Sequence, residues 1–327
     1  MTFTPQVTMV APPDAAAWDA LVGSSDEASV FHPSAWARLW TSEWPNARWE
    51  ALVISSAAAG NAPRYDAALG MIVRDGLLGR RVMAMPWGTY GGPLVRRDHP
   101  DPGTARRVLL AAFAERVRGA MVAELTWPEG HRDDLPRGLD AREGFTQVRG
   151  LASDFALILR VLPHSVRSRV RQAEEHGLAM RAVADAAGVR AYHALATDTM
   201  RRLGARPKPL SLYQRVFDQL VPAGLARFDL VEHQGAPIGG ALHLLHRSTA
   251  LNWLTVADEK HRDLRPNHLL IARVMQSLCE QSYHTYNFGG SPPGAEGLIQ
   301  FKESWGAERR PVLEVRRRSL LHRLFRG

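Results

Sequence analysis

The sequence predicts an α+β protein built from two copies of one folding unit. The 327-residue length suits two domains of roughly 150 residues each. One hydropathy order, strand–strand–strand–loop–helix–strand, occurs twice without residue identity between the copies. With 45% hydrophobic and 23% charged residues, each copy has enough apolar chain for its own core. The expected domains are 1–152 and 153–327, with room for the final segment to pack back on the first.

The first copy opens on a helix at 15–22. In the stretch 31–40, Trp36, Leu39 and Trp40 share one helical face. Strands follow at 50–56, 66–74 and 80–85, then the glycine-rich loop Pro86-Trp87-Gly88-Thr89-Tyr90-Gly91-Gly92-Pro93, a helix at 103–118 and a strand at 122–126. Between the copies, 157–160 reads as a strand and 165–176 as a basic helix ended by Gly177. Arg167, Arg169 and Arg171 spread over more than one face of that helix. It reads equally as a solvated surface balanced by Glu174 and Glu175 or as a phosphate-contacting one. A helix at 189–203 leads into Gly204-Ala205-Arg206-Pro207-Lys208-Pro209, where the flanking prolines hold Lys208 extended. That lysine is either an exposed loop charge or a pre-ordered phosphate contact.

The second copy runs through strands at 227–232, 238–246 and 250–256, the first two joined at Gln234-Gly235 as a hairpin. A polar loop at 258–267, a helix at 268–282 and a strand at 285–288 complete it. The strand ends in Tyr286-Asn287-Phe288-Gly289-Gly290, and one loop later comes Phe301-Lys302-Glu303-Ser304-Trp305-Gly306-Ala307. Glycines at a strand end admit close backbone approach to a ligand, which marks Gly289 and Gly290. Lys302 is one of only three lysines, with Lys208 and Lys260, in a chain that otherwise uses arginine. An ammonium can lose its proton where a guanidinium does not. Taken alone, the stretch also fits a solvated loop lysine beside Glu303. A last strand is expected at 312–316, followed by a basic and apolar tail at 317–326. The tail reads as a packed end or as a contact with a membrane surface.

Several classes of chemistry drop out. One cysteine, Cys279, leaves no disulfide or cysteine-based metal site. No Gly-x-Ser-x-Gly elbow, Walker loop, Rossmann fingerprint or HExxH motif occurs. The thirteen histidines are scattered, and His243 and His246 fall on opposite strand faces, so no metal is expected. The net charge of +8 favours an anionic partner. No apolar run reaches the roughly 18 residues of a spanning helix, and no basic signal-type start is seen, so the reading is cytoplasmic.

Taken together, the stretches 31–40, 90–93, 167–177, 202–213, 286–290 and 301–307 resemble, in order and spacing, the Fem family of non-ribosomal peptidyl and aminoacyl transferases. They are also similar to related acetyltransferases of the same tandem fold. The resemblance implies two tandem GNAT-like domains with mixed central sheets. It implies transfer of an aminoacyl group from aminoacyl-tRNA to an amine of a peptidoglycan precursor, soluble or lipid-linked, with no tightly bound cofactor. Lys302 matches a family lysine that stabilises the charge developing in acyl transfer, and Phe301 matches its neighbour. Lys208 falls where the family places a cation on the acceptor phosphate, and Arg167, Arg169 and Arg171 match a helix associated with tRNA. Tyr90, Gly91, Gly92, Tyr213, Gly289 and Gly290 fall in substrate-binding stretches. The sequence departs from the pattern at Trp40, where a phosphate-binding lysine is expected and Arg38 would substitute. It departs again at Trp127, in place of a carboxylate, so the family's general-base position has no matching acid here and the identity of any base is left open.

Two other functions stay open. One is an acyl-CoA-dependent N-acyltransferase of cell-surface polysaccharide or lipid metabolism. Against it stands the 258–267 loop, which lacks glycine and carries acids where pyrophosphate would sit. The other is a non-catalytic protein of this fold that binds tRNA or another anion.

Overall fold

The computed structural model describes residues 5–56, 63–77, 79–86, 90–137 and 139–318. In chain order the elements are β1 (Thr8–Val10), α1 (Ala15–Ser24), α2 (Ser34–Glu43), β2 (Ala47–Ser56), β3 (Arg64–Gly76), β4 (Gly79–Ala84), β5 (Leu94–Val95), α3 (Pro102–Arg116), β6 (Val122–Pro128) and β7 (Ala141–Gly150). They continue as α4 (Phe155–Val161), α5 (His164–Glu175), β8 (Ala179–Ala182), α6 (Ala186–Arg202), α7 (Leu210–Leu220), β9 (Ala226–His233), β10 (Ala236–His246), β11 (Thr249–Ala257), α8 (Pro266–Glu280), β12 (Thr285–Gly290), α9 (Glu296–Ser304) and β13 (Glu308–Arg318). The chain divides into two units. Unit 1 takes the described residues up to Phe145 and those from Pro311 onward; unit 2 is Thr146–Arg310. The division therefore lies inside β7, whereas the sequence reading placed it after residue 152.

In unit 1 the strands order as β1-β2-β3-β4-β6-β13, with β5 on β3. All pairs are antiparallel except β4 with β6. A parallel pair needs a long crossover, and α3 supplies it. Leu109, Leu110 and Phe113 of α3 pack on Leu69, Met71, Val82 and Leu125 of the sheet. Trp36, Leu39 and Trp40 of α2 are buried, as their spacing predicted. Buried Glu50 is answered by Arg116, whose Nη2 lies 2.6 Å from its carboxylate. Past the pair Ala84 and Leu125, the gap between β4 and β6 is closed by the glycine loop. Tyr90 bridges Thr126, the Gly91 N–H donates to the Thr126 carbonyl at 2.8 Å, and the ring of Trp127 lies against Gly92.

Unit 2 repeats the plan. Its strands order as β7-β12-β11-β10-β9-β8, with β11 and β12 parallel and α8 as the crossover. Leu269, Leu270, Val274 and Leu278 of α8 join Val231, Ala241, Leu245 and Tyr286 in the core. Here the parallel pairing ends at Leu251 with Asn287, and beyond that point the two strands part. The β10–β11 register also slips there: Leu242 pairs Leu254 but His243 pairs Asn252, so Trp253 is a bulge residue. Bulges re-aim side chains and are common beside functional sites.

Some expectations are corrected. Residues 157–160 form no strand but lie in α4. Asp154 caps that helix by accepting from the Ala156 N–H at 2.8 Å, and Ile158 is its only buried residue. The three apolar residues Leu157, Ile158 and Leu159 carry no period by themselves, so the cap decides. The polar stretch 258–267 is not an open loop. Glu259–Leu264 forms a 3-10 turn, and α8 already begins at Pro266. The short strands β1 and β8 were not anticipated, nor was β7. The tail from residue 319 lies outside the described residues.

Asp185 caps α6, its carboxylate accepting from the Gly188 N–H at 2.8 Å. Asp185→Ala is expected to cost about 1 kcal/mol in chemical denaturation, the usual magnitude for a lost N-cap.

Candidate active site

Where β11 and β12 part, unit 2 holds a cavity of about 800 Å³. The bulge explains why Asn252, Trp253, Leu254 and Thr255 all line it, although strict strand alternation would offer only every second one. Met200 and Leu203 of α6, Phe288 and Gly290 of β12, and Phe301 and Lys302 of α9 complete much of the wall. The start of α8 adds Arg265, Asn267 and His268, with Arg262 just before it and Arg169 from α5.

Lys302 is the chemical centre of this wall. It is 6% exposed. Its Nζ donates to the Gly289 carbonyl at 3.0 Å and to the Gly290 carbonyl at 2.8 Å. An ammonium has three N–H bonds, so one remains for a ligand. Burial lowers its pKa to about 8. The preceding motif builds the cradle residue by residue. The Asn287 side-chain oxygen accepts from the Gly289 N–H at 2.8 Å and from the Thr146 hydroxyl at 2.7 Å. That turn holds Gly289 at φ +74°, a conformation that favours glycine, and aims two successive carbonyls at one ammonium. After Lys302, α9 closes in a Schellman arrangement: Ala307 N–H to Lys302 carbonyl and Gly306 N–H to Glu303 carbonyl. Trp305, fully buried, anchors that end.

The charged side chains lining the cavity, among the described residues, are Arg169, Arg262, Arg265 and Lys302, all cations. The acids of the 258–264 stretch are engaged elsewhere or point away. Asp258 accepts from the Lys260 N–H and contacts His261, Glu259 pairs with Arg262 and Arg202, and the Asp263 side chain is fully exposed. Their repulsion of a phosphate at this wall, expected from the sequence, therefore does not arise from lining groups. Helix α8 starts at Arg265 in a left-handed conformation with no side chain capping its N–H groups. Arg265 Nε, Asn267 Oδ1 and His268 Nε2 are buried there without a hydrogen-bond partner. His268 packs edge-on to Phe301, and burial with the nearby Arg169 and Arg265 charges lowers its pKa to about 4. An uncapped 15-residue helix start with adjoining arginines favours a negative charge.

The other sequence candidates distribute as follows. Phe301, Lys302, Gly290 and Arg169 line the cavity, while Arg167 and Arg171 are exposed on α5 and do not. Gly289 stands just behind, as an acceptor for Lys302. Lys208 is not an exposed loop charge: it is half-buried, with Nζ 5.3 Å from the ring centre of Trp253, and burial lowers its pKa to about 8. Tyr213 is a core residue rather than a cavity residue. It is 1% exposed, packs on Tyr192 and His193, and its hydroxyl has no partner. Arg38, Tyr90, Gly91 and Gly92 belong to unit 1. There Arg38 is exposed on α2, Trp40 and Trp127 are buried, and the two glycines are packing positions. Asn252, Thr255, Asn267 and His268 were not singled out from the sequence. The one available signal was a polar Asn252 inside an apolar strand.

Comparison with known proteins bears on the fold. Residues 163–309, just under half of the chain, match the model of the acetyltransferase (GNAT) domain. No curated protein matches the chain at a significant level. Among solved structures, FemX is similar over 98% of this chain and 100% of its own, with a TM-score of 0.72 and 16% identity. L-PGS (lysyl-phosphatidylglycerol synthetase) from Bacillus licheniformis is similar over 96% of both chains, with a TM-score of 0.58 and 14% identity. A tandem GNAT protein from the clavulanic acid biosynthesis pathway covers 94% of this chain and 98% of its own, with a TM-score of 0.52 and 15% identity. At these identities the likeness establishes the fold. The chain has the Fem-type tandem GNAT-like fold that its motifs implied.

Proposed function

We propose that this protein is an N-acyltransferase whose unit 2 moves an aminoacyl group from aminoacyl-tRNA to an amine of a peptidoglycan precursor. The observation that carries the reading is Lys302: a buried ammonium, fixed by two carbonyls, on the wall of a cavity whose charged groups are all cations. The acceptor nitrogen attacks the ester carbonyl of the donor, and the carbonyl oxygen becomes an oxyanion. The third N–H of Lys302 donates to that oxygen. A single well-placed donor of this kind is worth roughly 3–4 kcal/mol of barrier. The carbon–oxygen bond then breaks; the nitrogen gives up one proton, and the released ribose oxygen gains one. The donor's terminal phosphates pair with Arg169, Arg262, Arg265 and the start of α8. Arg167 and Arg171, on the same helix as Arg169, extend the positive surface toward tRNA. The likeness to FemX and L-PGS supports an aminoacyl donor and a cell-wall or lipid acceptor.

A second reading, an acyl-CoA-dependent N-acyltransferase, is favoured by the acetyltransferase-domain match and by the same helix start, which would accept a pyrophosphate. Mass spectrometry on a UDP-muramyl-peptide acceptor separates the two. A gain of one amino-acid residue with a charged tRNA pool is the expected result. A gain of one acetyl group with acetyl-CoA alone would move the protein to the second reading. No gain with either would overturn this acceptor, leaving both donors open with another one, and would favour the non-catalytic, anion-binding reading.

Among the described residues no helix is long and apolar enough to cross a membrane.

A further inference from the structure

From the interior of unit 2 to the cavity wall, the sheet carries a line of buried and half-buried polar side chains that the transfer chemistry above does not use. Asp229 on β9 is fully buried and takes two hydrogen bonds from Arg227, Nε to Oδ2 at 2.9 Å and Nη2 to Oδ1 at 2.7 Å. His243 on β10, also fully buried, sets Nδ1 3.8 Å from Asp229 Oδ2 and Nε2 2.9 Å from the Tyr286 hydroxyl. Asn252 on β11 places Nδ2 3.1 Å from that hydroxyl and 2.7 Å from Thr255 Oγ1. Asn252 and Thr255 line the cavity.

The order of donors along this line follows from its charged end. Burial lowers the His243 pKa to about 3, so the ring is neutral and carries one N–H. Nδ1 makes no hydrogen bond, but the Asp229 carboxylate 3.8 Å away favours a hydrogen over a lone pair at that nitrogen, which assigns the N–H to Nδ1 and leaves Nε2 as the acceptor. The Tyr286 hydroxyl must then donate to Nε2, which leaves its oxygen to accept from Asn252 Nδ2. The amide is thereby held one way round. Its Oδ1 accepts from the Thr255 hydroxyl at 3.0 Å and keeps a second lone pair.

Among the described residues, each charged side chain on the cavity wall is a cation. The carbonyls of Gly289 and Gly290 are already bound to Lys302. Asn252 Oδ1, held one way round, is an acceptor suited to an ammonium or amine, whereas the other unpartnered amide oxygen of the wall, Asn267 Oδ1, lies at the start of α8 beside Arg265, where a negative charge is favoured. We propose that Asn252 Oδ1 recognises the α-amino group of the donor's aminoacyl moiety, and that Asp229, His243 and Tyr286 are positioning residues that fix the direction of its amide. The inference rests on the aminoacyl-donor reading and narrows it: the site selects acyl groups with a free amine over those without one.

The test is calorimetric binding to the full chain of a hydrolysis-resistant 3′-aminoacylamino-adenosine, compared with the same compound acetylated on its α-amine. Wild type is expected to bind the free-amine form at least about ten-fold more tightly. Asn252→Ala should bind both equally, and Tyr286→Phe should show a reduced preference. Asn252→Asp, which supplies an acceptor without the orienting line, should keep the preference. A merely structural role for Asn252 would not separate the Ala and Asp variants in this way. Equal binding of the two compounds to wild type, or an unchanged preference in Asn252→Ala, overturns amine recognition while leaving the donor reading intact. Binding of acetyl-CoA with neither compound binding overturns the donor reading and this inference with it.

Discussion

Lys302→Met is expected to lower kcat/KM for acyl transfer by about 10²–10³-fold, the usual loss for one oxyanion donor. The variant keeps an unbranched, flexible side chain one atom shorter and removes the ammonium with its N–H groups. It leaves the Gly289 and Gly290 carbonyls without their donor, a destabilising change, and it removes a buried ammonium, a stabilising one. The two oppose each other, so the fold should persist and the loss should appear in the chemistry. The pH dependence distinguishes two roles for the residue. As a cationic donor Lys302 works protonated, so kcat/KM should fall as pH rises through about 8, the value to which burial brings it. Lys302→Arg stays charged throughout and should retain part of the activity without that descending limb. If Lys302 were instead the base, wild-type activity would rise through the same pH and the Arg variant would be as inactive as the Met variant.

The same lowered pKa has a consequence for stability. Between about pH 8 and the ordinary lysine range, the unfolded chain holds a proton that the folded chain has released. The unfolded state thus binds more protons, and this site's contribution to stability rises with pH across that window. Wild type should gain stability relative to Lys302→Met as pH rises from about 8 to about 10, measured by denaturant unfolding.

The fold and the catalytic centre were not equally legible in the sequence. The duplicated strand order could be read because each piece is local: alternating or helical apolar spacing, a Gln234-Gly235 hairpin, and Gly177 ending α5. Lys302 could be read because lysine is rare in this chain and its motif pairs with the Gly289-Gly290 strand end. The cavity could not. It exists because β11 and β12 separate after Leu251 and Asn287 and because Trp253 is a bulge residue, both facts of pairing between distant segments. Asn252, Thr255, Arg265 and His268 become site residues only once that gap is open. Tyr213 and Lys208 show the same limit in reverse. Their stretch matched a binding segment, yet burial against Tyr192 and Trp253 decides what each does. In α4 a capping Asp154 outweighed three apolar residues in a stretch that read as strand.

Gly91→Ala is expected to destabilise unit 1 by about 3 kcal/mol, the upper end for an overpacked site. The physical cause is the comparison between the two units. In unit 2 the parallel strands part and a cavity opens. In unit 1 the equivalent gap between β4 and β6 is filled by backbone: Gly91 lies so close to β4 that a Cβ on it would stand 1.8 Å from the Ala84 carbonyl oxygen. A rigid carbonyl cannot swing aside as the end of a side chain can. The loop would have to withdraw, breaking the Gly91 N–H bond to Thr126 and uncovering Trp127, whose ring already touches the position next door at Gly92. Gly23→Ala provides the opposite sign. Gly23 is an exposed position within α1 with nothing within 4 Å of an added Cβ, so the change should stabilise by roughly 0.5–1 kcal/mol through helix propensity. Hydrogen exchange read on peptides from β4 and β6 is the measurement to use, because a chain of two units need not unfold in one step. Faster exchange in those peptides for Gly91→Ala, with slower exchange across α1 for Gly23→Ala, is the expected pair of results. Unchanged β4 and β6 exchange in Gly91→Ala would return Gly91 to the substrate-contact role its motif implied, since a packing role could not tolerate the methyl group.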